Sequence, residues 1–137
     1  VTYVLSDDVD RLDRDVIWRF LSAEAYWGRW RTRDEVERQI AGAWRVVGAY
    51  DERSGELVGF ARAVSDGVAF AYLADVFVDA AHRGAGLGHR LVTTMIDEGP
   101  GADFRWTLFT GDAHGLYRQH GFAEPDATAM VRPARQG

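Results

Sequence analysis

Between Trp44 and Val78 the apolar residues gather into three short runs, WRVVGAY, LVGFARAV and VAFAYLADVFV, separated by DERSGE and SDG. Runs of this length, rich in valine and aromatic residues and bounded by Gly, Ser and Asp, predict strands. Asp66-Gly67 adds a strong hairpin signal, because both residues tolerate the positive φ of a tight turn. Near the start TYVLS alternates and predicts an earlier strand. The period then lengthens. Val9, Leu12, Val16, Ile17, Phe20 and Leu21 recur at helical spacing, predicting a helix capped by Asp7 or Asp8 and running to about Ser22. Val36, Ile40 and Ala43 give the apolar face of a second helix from about Arg33 to Gly42. Leu87, Leu91, Val92 and Met95 mark a third, which stops at EGPG. Phe104 to Thr110 predicts another strand. Asp112 is a good N-cap for a short helix to about His120, with Gly121 placed to end it, and ATAMVRP predicts a last strand.

The predicted order is β-α-α-β-β-β-α-β-α-β. Antiparallel hairpins leading into a strand-helix-strand unit imply an α+β fold, with a mixed, mostly antiparallel sheet and helices packed on it. No repeat, low-complexity tract or linker divides the chain, so residues 1–137 are expected to form a single domain.

Composition narrows the chemistry. The chain has 137 residues, 47% hydrophobic and 27% charged, which is a globular balance. Sixteen Lys and Arg against 21 Asp and Glu leave a net charge of −5. That weighs against a nucleic-acid partner and is compatible with a cationic substrate. Cysteine is absent, which excludes disulfides, thiolate metal ligands and a cysteine nucleophile. No run of about 18 apolar residues and no signal-peptide pattern occurs, so no membrane partner is expected and a cytoplasmic location is the default. His82, His89, His114 and His120 contain no i, i+4 pair, so no metal is expected.

The chemical signal lies in DVFVDAAHRGAGLGHRLV, where a strand meets a helix across glycines. Glycine there allows positive φ and lets a ligand approach the main chain without a Cβ in the way. Helix N-terminal amides have no internal acceptors and sit at the positive end of the dipole, so such a junction suits a phosphate. The dinucleotide pattern G-x-G-x-x-G fails, because His89 occupies its sixth position; the P-loop fails for want of lysine. Arg/Gln-x-x-Gly-x-Gly/Ala fits RGAGLG from Arg83 to Gly88 at every fixed position. A tight turn with close helix-sheet packing is the alternative.

A second segment, LYRQHGF, follows one strand later. Together the two segments resemble the GNAT superfamily of acetyl-CoA-dependent N-acetyltransferases: RGAGLG is similar to its cofactor loop and LYRQHGF to its Leu-Tyr-x-x-x-Gly-Phe segment. The detailed resemblance covers roughly residues 72 to 122, and the element order extends it over the chain. It implies the GNAT fold, with helices on both sheet faces, and acetyl-CoA as cosubstrate. The strands at Leu73–Val78 and Phe104–Thr110 would lie parallel and splay. Pantetheine would pair with the main chain near Val76 and Val78, and a main-chain N–H near Val76 or Phe77 would receive the acetyl oxygen. The pyrophosphate would rest on amides of Gly84, Ala85, Gly86, Gly88 and His89, beside Arg83.

The resemblance also implies transfer of the acetyl group to a primary amine of a small molecule or peptide by direct attack. Tyr117 matches the tyrosine that protonates the departing thiolate. A phenol's ordinary pKa of about 10 lies above a thiol's ~8.5, so it stays a proton donor at neutral pH. Asp75, on the cofactor strand, is the candidate base or ammonium attractor, or else a structural acceptor. Tyr72, Asp79 and Glu24 are alternates. Ala74 stands where some polyamine-directed members carry a first glutamate. Thr110 replaces an asparagine that often contacts the cofactor, and Ala80 replaces a common proline. Tyr26, Trp27 and Trp30, with Tyr72, would fall at the acceptor site, where aromatics wall an amine or pack the core. Small members often dimerise, so a homodimer is one option. A protein of the same fold that binds acyl-CoA without transfer, as a sensor or structural partner, is the alternative reading.

Overall fold

The computed structural model describes residues 2–23 and 31–135. Five strands form one sheet in the order β1-β2-β3-β4-β5: β1 Tyr3–Ser6, β2 Arg45–Asp51, β3 Leu57–Ser65, β4 Phe70–Val78 and β5 Arg105–Thr107. The pairs β1–β2, β2–β3 and β3–β4 are antiparallel and β4–β5 is parallel, the mixed sheet expected from the hairpin signals. The described helices are α1 Arg14–Ala23, α2 Arg33–Ala41, α3 Leu87–Met95 and α4 His114–Arg118.

Side-chain alternation in the strands builds two cores. Val46, Tyr50, Leu57, Phe60 and Phe77 meet Ile17, Phe20 and Leu21 of α1 and Val36 and Ile40 of α2. On the other face Val47, Ala49, Val58, Ala61, Ala63 and Leu73 meet Leu87, Leu91, Val92 and Met95 of α3, with Tyr117 of α4. The sheet therefore carries helices on both faces.

Two departures from the strand ladder position the site. The β3–β4 register runs Phe60↔Phe77 and then Arg62↔Ala74, so β4 holds one extra residue there. This bulge contains Asp75, whose φ of 55° makes it the non-glycine residue with positive φ among the described residues. Parity flips across it: Ala71 and Leu73 precede it on the α3 side, and Val76 and Val78 follow on that same side. The second departure is at β5. It pairs with β4 only at Phe70↔Arg105, Ala71↔Trp106 and Tyr72↔Thr107, while β4 continues to Val78. The two strands part beyond Tyr72.

Several boundaries differ from those read in the sequence. The first helix does not start at Asp7 or Asp8. Asp8 caps a 3-10 turn, Val9–Arg11, by accepting from the Asp10 N–H, and Leu12 is extended, breaking the run. Asp13 then starts α1 by accepting from the Val16 N–H at 3.1 Å. The strand predicted to Thr110 ends at Thr107, because β4 no longer runs alongside. Asp112 is not the cap of α4. The Thr110 hydroxyl accepts from the Ala113 N–H at 3.1 Å and the Asp112 N–H at 3.4 Å instead. ATAMVRP forms no strand in this chain. Met130 is 93% exposed, and a β-turn-like bond from the Ala129 N–H to the Asp126 carbonyl holds the segment locally. A strand needs a neighbour for its ladder, and β5 is only three residues long.

Candidate active site

The glycine loop joins the open end of β4 to α3. Asp79 caps a 3-10 turn, Ala80–His82, accepting from the Ala81 N–H at 3.2 Å. Gly84 and Gly86 follow with φ of 87° and 75°, and a Cβ on either would meet no atom within 4 Å. Both therefore face open space in a backbone region that disfavours other residues. The first bond inside α3 runs from the Arg90 N–H to the Gly86 carbonyl at 3.1 Å. The amides of Leu87, Gly88 and His89 lie ahead of it and need acceptors from outside the helix. Gly86 offers no side-chain cap. Arg83 folds beside the loop, its Nε donating to the Val78 carbonyl at 3.1 Å. Open space over the glycines, amides ahead of the helix and a nearby guanidinium together fit a diphosphate.

His89 has a second part. Its Nδ1 lies 3.0 Å from His120 Nε2, tying the first turn of α3 to the end of α4. Burial and the neighbouring His89 both push the His120 imidazole below its usual range, against an opposing pull from Asp97. At neutral pH it is the neutral partner that suits a short ring-to-ring bond.

Tyr117 is 8% exposed on α4, packed with Phe122 at a ring separation of 5.8 Å, edge to face. The spacing of LYRQHGF explains its placement. Gly121, at φ 88°, donates its N–H to the Arg118 carbonyl, and Phe122 donates to the Tyr117 carbonyl at 3.1 Å. This is the paired bonding of a Schellman stop, with its hydrophobic contact made by Tyr117 and Phe122. The tyrosine, glycine and phenylalanine of the motif are thus one helix-ending unit that locks the phenol in place.

Tyr72 sits at the last β4–β5 pair, its ring 6.0 Å from that of Phe109. Tyr72, Thr110 and Tyr117 line a common cleft of about 940 Å³ bordered by β5, α4 and residues 122–131. Val76, Val78 and Tyr117 share the α3-side core, whereas Phe77 packs on the opposite face against Phe20, with ring centroids 4.0 Å apart. Thr110, matched by resemblance to a cofactor-contacting position, spends its hydroxyl on the start of α4.

Asp75 lies on the α1/α2 side, 7% exposed. Its carboxylate accepts from Arg31 Nη1 at 2.9 Å and Nη2 at 2.8 Å, and from Arg62 Nε at 2.6 Å. Arg31 Nη1 also donates to Gln39 Oε1 at 2.6 Å. Burial by itself would push the carboxyl up; the Arg31 hydrogen bonds and the charges of Arg62 and Arg31 outweigh it and hold it below the usual carboxylate range. Sequence reading missed these arginines. Arg62 sits in the middle of an apolar strand run, where a buried charge is itself a signal. Tyr26, Trp27, Trp30 and Glu24 lie outside the described residues. Among the described residues no three His, Asp or Glu side chains converge to hold a metal, and no helix is long and apolar enough to cross a membrane.

Comparison with known proteins agrees with this construction. Residues 42–124 match the acetyltransferase (GNAT) domain family. A candidate acetyltransferase of Gibberella zeae is 34% identical over 84 residues, covering 61% of this chain and 45% of that protein, so the chain spans about half the length of this curated relative. The crystal structure of a candidate GNAT-family acetyltransferase from Xanthomonas campestris pv. campestris is 34% identical, covers 98% of this chain and 94% of its own, and superposes with a TM-score of 0.89. N-acetylglutamate synthase from Neisseria gonorrhoeae, in a structure complexed with coenzyme A and N-acetyl-glutamate, shares the fold at 17% identity and a TM-score of 0.72, over 95% of this chain and 30% of that one. With the family match over residues 42–124 and a 34% identical solved relative spanning 98% of its length, this chain belongs to the GNAT acetyltransferase family.

Proposed function

We propose that the protein transfers the acetyl group of acetyl-CoA to a primary amine of a small molecule or peptide. The observation that carries this reading is the fork beyond Tyr72 and Thr107, flanked by the glycine loop and by Tyr117. The amides of Leu87, Gly88 and His89, with Arg83, would hold the diphosphate. Main-chain groups of Val76 and Val78 would align the pantetheine arm. The carbonyl oxygen gains charge as the amine adds, and a backbone N–H near Val76 or Phe77 would meet that charge without reorganisation. The C–S bond then breaks, the Tyr117 phenol would give its proton to the departing thiolate, and the proton lost by the amine nitrogen would pass through water and restore the phenol.

Asp75 enters this reading as a positioning residue rather than as the base. A carboxylate held below its usual range is a weak base at neutral pH, and its oxygens already accept three N–H bonds. Its service is to clamp the bulge that aims Val76 and Phe77.

The test is thiol release from acetyl-CoA across a panel of amines, alongside calorimetric titration with CoA. Amine-dependent release is the expected result. Micromolar CoA binding with no release from any amine would replace this reading with an acyl-CoA sensor of the same fold.

A further inference from the structure

Resting on the acetyltransferase reading, we infer that the acceptor amine carries an oxyanion, a carboxylate or a phosphate ester, which Arg62 receives. Among the described residues, two guanidinium groups share one carboxylate at Asp75, a net charge of one positive in a buried cluster. The Arg62 side chain is 8% exposed, and its hydrogen bonding among the described residues is the single bond from Nε to Asp75. Nη1 and Nη2 are left over. Among the described residues the fully enclosed unbonded side-chain atoms are Arg31 Nε, Arg45 Nε and the Tyr50 hydroxyl, and the Arg62 terminal nitrogens are not among them. The acids of α2 are engaged elsewhere: Glu37 pairs with Arg14 and Arg33, Asp34 with Arg38, and Glu35 accepts from the Thr32 N–H.

A buried, uncompensated charge is costly unless an opposite charge meets it, and a guanidinium with two free terminal nitrogens presents a fork that fits a planar or tetrahedral oxyanion. The location favours the acceptor. Arg62 pairs across to Ala74 and its Nε holds Asp75, the residue just before the two positions proposed to receive the acetyl group. The cluster lies on the α1/α2 face, opposite the α3 face of the diphosphate loop. The chain's net charge of −5 repels anions at a distance, but screening limits that field to about 10 Å at 0.1 M salt, and the contact decides recognition. An anionic non-reacting end would differ from the cationic substrate with which the net charge is compatible.

The test uses matched amines that differ in the anion alone: 4-aminobutyrate against butylamine, glycylglycine against glycylglycinamide, and glucosamine 6-phosphate against glucosamine. The expected result is a kcat/KM at least about tenfold higher for the anionic member of one pair, the carboxylate or the phosphate arm identifying the group. Arg62→Gln should erase that preference and Arg62→Lys should restore part of it. Asp75 keeps its two bonds to Arg31 in both variants; if Arg62→Gln fails to fold, the wild-type pairs and Arg62→Lys carry the comparison. Equal or better turnover of every neutral member, or an equal loss for both members in Arg62→Gln, overturns the inference while leaving the transferase reading intact. Thermal shifts of the CoA-saturated protein with each amine separate the two claims. An anion-dependent shift lost in Arg62→Gln, without any acetylation, keeps the oxyanion site and removes the transferase. No shift and no acetylation removes both.

Discussion

Tyr117 and Asp75 illustrate two different ways in which a single side chain serves the site. Tyr117 owes its position to the helix stop at Gly121, so Tyr117→Phe keeps the ring contact with Phe122 and removes only the hydroxyl. If the phenol is the acid, kcat falls roughly 100-fold or more while CoA affinity holds, as steady-state kinetics and calorimetry would measure. An unchanged kcat under chemistry-limited conditions removes the role. Asp75 acts through its charge. Asp75→Ala leaves Arg31 and Arg62 facing each other in a buried setting, and denaturant unfolding should show a loss of about 3–5 kcal/mol. The same group gives a pH signature. Its folded pKa lies below the unfolded value, so its stabilisation is full above about pH 3.9 and drains away as pH falls from there through the folded value. Melting temperature against pH should fall more steeply in that acid window for the wild type than for Asp75→Asn. The sequence marked both residues as candidates; the lowered carboxyl came from Arg31 and Arg62, which lie 44 and 13 positions away along the chain.

At the scale of elements, local signals worked where the deciding atoms are near in sequence. The β2–β3–β4 hairpins follow their turns, and Asp66 alone accepts from the N–H groups of Val68, Ala69 and Phe70. The start of α2 is a capping box of Thr32 and Glu35. Thr32→Ala should cost about 1 kcal/mol in urea unfolding; a neutral effect would mean that packing, not the cap, fixes this end. Gly86 begins α3 in a left-handed conformation facing open space. Gly86→Val should raise the Kd for CoA more than about tenfold with a smaller effect on folding, since β-branching opposes the positive φ and the side chain would stand over the neighbouring amides. Normal CoA binding by that variant counts against the diphosphate assignment. Local signals misread the first helix, β5 and residues 127–133. At Leu12 a buried side chain holds an extended backbone, and the two strand segments had propensity with too little neighbour to pair with.

Across the whole molecule, the sheet separates two tasks. The α3 face carries the glycine loop and Tyr117, and the α1/α2 face carries the arginine cluster at Asp75. The β4 bulge lets one strand serve both, since the extra residue turns Asp75 toward one side while Val76 and Val78 return to the other. The sequence by itself determined the parts whose physics is local: hairpin turns, helical faces, the glycine loop and the tyrosine–glycine–phenylalanine stop. Each is written in residues a few positions apart, where φ preference, capping and periodicity act. Only the tertiary structure decided where the β4–β5 fork opens, the bulge, the His89–His120 contact and the pairing of Asp75 with two arginines. Those depend on which strand lies beside which and on how much water a charge has lost, and neither quantity exists until the chain has closed on itself.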